Sequence, residues 1–163
     1  MKVVFLDVDG VLNCKQTHNP RKFPFIVDPA LLKRLNRLLE NTGAQIVLSS
    51  NWRYDPVGLF AAQFYGVRFV DTTPDLPGRA RGDAITEWVR AHPNTERFIV
   101  IDDEDDQLDG LPLFQPLRHD GLTDEIVARA AAYLNRETEK DMRRNKFVRL
   151  CQNFCSFVIG HKG

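Results

Sequence analysis

Lys2-Val3-Val4-Phe5-Leu6-Asp7-Val8-Asp9-Gly10-Val11-Leu12 opens on an apolar run and then meets two carboxylates and a glycine. A short continuous apolar run reads as a strand buried on both faces, because neither side of it meets water. Residues i and i+2 leave a strand on the same side, so Asp7 and Asp9 can enter one cavity at its end. Two later runs repeat the theme. Gln45-Ile46-Val47-Leu48-Ser49 reads as a second strand ending at Ser49-Ser50, and Phe98-Ile99-Val100-Ile101 leads into Asp102-Asp103. Three separate strands thus deliver acids and hydroxyls to what the pattern makes a common edge.

Between these runs the periodicity switches to that of helices. Asp28-Pro29 is a start signal, with a side-chain cap and a proline in the first turn; Leu31, Leu35, Leu38 and Leu39 form the stripe and Gly43 the stop. Asp55-Pro56 repeats the signal, with Leu59, Phe60 and Phe64 as the expected inward stripe and Gly66 as the stop. Val67–Val70 is expected as a third strand, Asp71–Gly82 as a Pro/Gly loop, and 83–92 as a helix carrying Ile85, Trp88 and Val89. A last short strand is expected over Leu111–Phe114. Thr123 caps a final helix with Ile126, Val127, Ala130 and Leu134 facing inward. Alternating strands and amphipathic helices imply an α/β fold: a doubly wound, Rossmann-like parallel sheet with helices on both faces and the ligand site beyond the carboxyl ends of its strands.

The 163 residues suit one domain with room for a core, and 43% apolar content excludes a disordered chain. No run approaches the ~20 apolar residues of a membrane span, and the N-terminus meets the charge of Asp7 before a signal-peptide core could form, which argues against export. Three cysteines speak against a disulfide framework and for a reducing, cytoplasmic setting. With 22 basic and 22 acidic residues, bulk charge gives no reason for tight nucleic-acid binding. The balance is uneven, however: residues 136–163 hold 7 basic and 3 acidic residues, leaving an acidic body over 1–135. We therefore expect a domain over 1–135 and a basic amphipathic tail over 136–163. Phe147, Leu150, Cys151, Phe154 and Val158 fall at helical spacing in that tail, which we read as a docked helix or a homodimer contact.

Taken singly, the site motifs are bland. Asp-x-Asp-Gly is most often a turn, an acidic run is usually a solvated loop, and one arginine is one of many. Their ordered placement after predicted strands reverses that reading. Several carboxylates in one cleft are unfavourable without a cation, and an all-oxygen donor set suits Mg²⁺.

In that order the motifs resemble the haloacid dehalogenase (HAD) superfamily: Asp7-Val8-Asp9-Gly10-Val11-Leu12, then Ser49 after a strand, then Arg81, then Asp102-Asp103. Leu48-Ser49-Ser50-Asn51-Trp52-Arg53, Arg81-Gly82 and Gly121-Leu122-Thr123 more narrowly resemble small HAD domains associated with bacterial RNA-repair proteins. The resemblance implies a Mg²⁺-dependent phosphatase. Asp7 is then the nucleophile, forming an aspartyl-phosphate, and Asp9 the general acid and base. Ser49, with Ser50, is implied to hold a phosphoryl oxygen. Arg81 is implied to neutralise the phosphoryl group in place of the more usual lysine, Arg79 being the alternative. Asp7, Asp103 and the Asp9 backbone carbonyl are implied to hold the metal, supported by Asp102, with Asp106 as a further candidate. The second acid at Asp9 speaks against a dehalogenase and against a receiver-like signalling domain. A phosphate-binding module without turnover and a phosphoprotein phosphatase are the alternatives.

Substrate class is read from spacing. Neither Asn13–Val27 nor the stretch from Ser50 to Arg81 can hold a folded cap domain, so an open site is expected, suited to RNA or DNA ends or to nucleotides. Ser50, Asn51 and Arg53 are the expected substrate contacts, and Lys15, His18, Arg21 and Lys22 form a basic flap. Trp52 is expected to be buried rather than stacked on a base, and Cys14 to be structural.

Overall fold

The computed structural model describes residues 1–136, so the expected tail lies outside the described residues except for Arg136. The strands are β1 (Lys2–Leu6), β2 (Gln45–Leu48), β3 (Phe69–Thr72), β4 (Arg97–Ile101) and β5 (Leu113–Phe114). The helices are α1 (Pro29–Thr42), α2 (Pro56–Phe64), α3 (Arg81–Ala91) and α4 (Asp124–Leu134), with a 3-10 turn over Asn51–Tyr54. All five strands are parallel in the order β3-β2-β1-β4-β5. The chain winds outward from β1 through β2 to β3, then returns to the far side of β1 for β4. The gap between β1 and β4 is therefore the point where the winding reverses, and there the loops diverge to leave a crevice.

Alternate residues of the central strands feed two cores. Val4, Leu6, Ile46, Leu48, Ile99 and Ile101 meet Leu31, Leu35 and Leu38 of α1, Ala62 of α2, and Ile126, Val127, Ala130 and Leu134 of α4. Val3, Phe5, Val47 and Val100 meet Ile85 and Trp88 of α3. Consecutive right-handed crossovers in one direction put α1 and α2 on one face, and the reversal puts α3 on the other. Among the described residues, no cap domain interrupts this plan.

Local signals explain most of the boundaries. Asp28 accepts the Ala30 amide at 2.8 Å, and Gly43 closes α1 at φ 66°, where a side chain is disfavoured. Asp55 and Thr123 cap α2 and α4 as expected. Three expectations are corrected. Phe60 and Phe64 do not face inward: they are 66% and 73% exposed, and α2 instead packs through Gly58, Leu59 and Ala62. A β-carbon at Gly58 would lie 2.7 Å from the Trp52 carbonyl oxygen, so the helix sits too close to the 3-10 turn for a side chain there. β3 is displaced two residues along, to Phe69–Thr72, across an irregular pairing with β2, which takes Asp71 out of the expected loop. α3 begins at Arg81 rather than Asp83, because the Asp106 carboxylate caps the Arg81 amide from across the fold at 3.2 Å.

Candidate active site

Register brings the acids together. Leu6 pairs with Ile101, and the Asp7 amide donates to the Ile101 carbonyl at 2.9 Å, so Asp7 and Asp102 leave adjacent strand ends side by side. The Ser49 amide donates to the Leu6 carbonyl at 2.9 Å, which sets the β2 hydroxyls on the other flank of Asp7. One carboxylate oxygen each from Asp7, Asp102 and Asp103 lies within 4.8 Å of the others. Gly10, at φ 77°, makes this packing possible: a β-carbon there would lie 2.2 Å from Asp103 Cγ.

Arg81 supplies the nearest positive charge. Its Nη1 donates to Asp102 and sits 3.4 Å from Asp7 Oδ1. Burial pulls the guanidinium down, but Asp7 and Asp102 together outweigh it and hold Arg81 above the usual arginine range. Burial pushes the Asp7 carboxyl up to about 7, against the lowering effects of Arg81 and a hydrogen bond from Ser50. Burial raises Asp102 and Asp103 as well. Asp103 Oδ2 is buried without a hydrogen-bond partner, its nearest cation being Arg118 Nε at 3.7 Å. Three clustered carboxylates face two guanidiniums, Arg81 and the more exposed Arg118, and with one unsatisfied carboxylate oxygen this leaves a deficit of positive charge. A hard divalent cation fits such an all-oxygen set, with Asp7, Asp102 and Asp103 as its side-chain ligands.

The carboxylate of Asp9 stands apart from this cluster. Its Oδ2 accepts from Trp52 Nε1 at 2.8 Å and its Oδ1 from Asn13 Nδ2 at 2.8 Å. Asn13 also accepts from the Gly10 amide and donates to the Ile26 carbonyl, which fixes its own orientation. Trp52 is buried as expected, braced edge-on by Phe25 at 5.0 Å. The sequence marked Trp52 only as a core residue and Asn13 not at all; a polar residue four positions from Asp9 was the one available signal.

The remaining expected residues separate by role. Ser50 reaches Asp7 and accepts from the Trp52 amide, whereas Ser49 is fully buried with its Oγ unpartnered among the described residues. Arg53 is tied inward: its Nη1 donates to the carbonyls of Ser49 at 2.6 Å and Ser50 at 3.0 Å, bracing the loop that follows β2. Burial draws the Arg53 guanidinium down. Asn51 is exposed at the rim. Arg79, the alternative to Arg81, lies outside the acid cluster, in the cleft leading to it. Lys15, His18, Arg21 and Lys22 are exposed on their loop, and Cys14 is partly buried against the core. No helix of the described residues is long and apolar enough to cross a membrane.

Residues 3–127 match the model of a family described as the HAD domain in Swiss Army Knife RNA repair proteins. No curated protein matches the chain.

Proposed function

The chain belongs to this family of HAD domains, and from that membership we propose that it is a Mg²⁺-dependent phosphomonoesterase, forming an aspartyl-phosphate on Asp7 and acting on phosphorylated RNA or DNA ends. Membership supports a phosphatase-like HAD module in general. The observation that carries the finer reading is the convergence of Asp7, Asp102 and Asp103 within 4.8 Å, with Arg81 against Asp7 and a second acid at Asp9. A metal held by these three carboxylates supplies positive charge that offsets theirs and that of the phosphoryl group.

In this reading an Asp7 oxygen attacks phosphorus in line while the bond to the leaving oxygen breaks. Asp9 gives that oxygen its proton. Asp9, now a carboxylate, takes a proton from water as the water oxygen attacks the phosphorus, which releases phosphate and restores Asp7. The hydrogen bonds from Trp52 and Asn13 hold the Asp9 carboxyl group in one orientation. Arg81 can contact phosphoryl oxygens with two nitrogens once it releases Asp102. The hydroxyls of Ser49 and Ser50 are the neutral donors on the β2 side. Among the described residues nothing caps the site, which suits a substrate too large to enclose.

The test is phosphate release from 3′- and 5′-phosphorylated RNA and DNA oligomers, mononucleotides and a phosphopeptide, each with Mg²⁺, with EDTA and with Asp7→Asn. Metal-dependent release lost in the variant is expected. Silence across the panel with Mg²⁺ still bound overturns the reading in favour of a phosphate-binding module.

A further inference from the structure

We propose that the cleft running outward from Arg81 is a nucleotide subsite, in which Tyr54 stacks on the base adjoining the cleaved phosphate and Arg79 contacts the next backbone phosphate. This rests on the phosphomonoesterase reading and assigns its substrate side. The cleft is lined by Asn51, Arg53, Tyr54, Arg79, Arg81 and Asp106. Its inner end is the guanidinium that touches Asp7, so a ligand held there is continuous with the reacting phosphate.

Charge and commitment separate the lining residues. Three arginines face one carboxylate, and that carboxylate is engaged by the Arg81 amide. Arg81 is spoken for by Asp7 and Asp102, and Arg53 by the carbonyls of Ser49 and Ser50. Arg79 is exposed and has no ion pair within 4.0 Å among the described residues; Glu87 nearby pairs with Arg90 instead. It is therefore the cation available to a second anion. Tyr54 is 52% exposed, and Arg53 lies over its ring at 4.0 Å while also donating to its hydroxyl. That contact holds the ring in one orientation and leaves aromatic surface for a base. A nucleic-acid end offers a flat base and a second phosphate at fixed spacing. A phosphopeptide offers neither.

Binding of short single-stranded RNA oligomers, phosphorylated at either end, is measured by fluorescence anisotropy on the Asp7→Asn chain with Mg²⁺. Tyr54→Ala is expected to weaken binding about tenfold, and Tyr54→Phe to restore it. Arg79→Gln is expected to flatten the dependence of log affinity on log salt by about 0.7. Affinity and salt slope unmoved by Tyr54→Ala and Arg79→Gln overturn the proposal, as does an equal loss of phosphopeptide binding. Binding needs no turnover, so failure of the subsite is distinguishable from failure of the phosphatase reading, which is read separately as metal-dependent hydrolysis of an aryl phosphate by the unaltered chain.

Discussion

Replacing Asp7, the proposed nucleophile, should make the metal-free protein more stable. Asp7 titrates at about 7 in the folded chain against 3.8 for an exposed aspartate, because burial outweighs the help from Arg81 and Ser50. A native state that binds its proton more tightly than the unfolded state loses stability as pH rises, here between about 4 and about 7. Each unit of the shift is worth about 1.36 kcal/mol, so above pH 8 the ionised carboxylate costs the fold up to about 4 kcal/mol. Below pH 4 the acid is protonated in both states and the cost vanishes. Asp7→Asn keeps the shape, removes the charge, and turns an amide toward Arg81. We expect it to gain about 2–4 kcal/mol at pH 8, or roughly 6–12 °C in Tm for a chain of this size. The gain should shrink to about 1.5 kcal/mol at pH 5. Thermal melts of both proteins in EDTA from pH 4 to pH 9 measure this. A gap that does not change with pH, or an unaltered chain more stable than the variant at pH 8, refutes the electrostatic account of the site. Added Mg²⁺ should narrow the gap, since a cation bound by the native state stabilises it and the variant has lost one charged ligand.

Trp52→Phe should keep the packing against Phe25 but withdraw the donor from Asp9; we expect kcat to fall about tenfold, with KM nearly unchanged and the pH–rate profile displaced. Gly10→Ala places a methyl group against the Asp103 carboxylate at a positive φ, so calorimetry should show weakened divalent binding and melts a loss of about 1–3 kcal/mol. Arg81→Ala removes the cation between two buried carboxylates, and a metal-free destabilisation of about 3–5 kcal/mol in urea titrations is expected. Phe60→Ser should change stability by less than about 0.5 kcal/mol, as the exposed face of α2 requires.

The features readable from sequence were those whose cause is local. An apolar run ending in acid, as at Asp7 and Asp102, states both a buried strand and the edge where it ends. Asp28-Pro29 and Gly43 state both ends of α1. Phe60 and Phe64 misled for a physical reason. Val57, Phe60, Ala61 and Phe64 keep perfect helical spacing, but so does the smaller pair Gly58 and Ala62, and only the proximity of the 3-10 turn decides which face packs. Likewise Asp106 capping Arg81, and Trp52 and Asn13 holding Asp9, are contacts between separate elements or around a turn that no window of sequence displays.

The chain has two tryptophans, and each gives its indole N–H to an aspartate: Trp52 to Asp9 at 2.8 Å and Trp88 to Asp71 at 2.6 Å. Indole emission shifts with the charge and polarity beside the ring nitrogen, so the fold carries its own optical reporter on Asp9, the proposed general acid. With Trp88→Phe the emission comes from Trp52 alone. Rearrangement of Asp9 on ligand binding then becomes visible as a fluorescence change in the otherwise unlabelled protein, on the timescale of mixing.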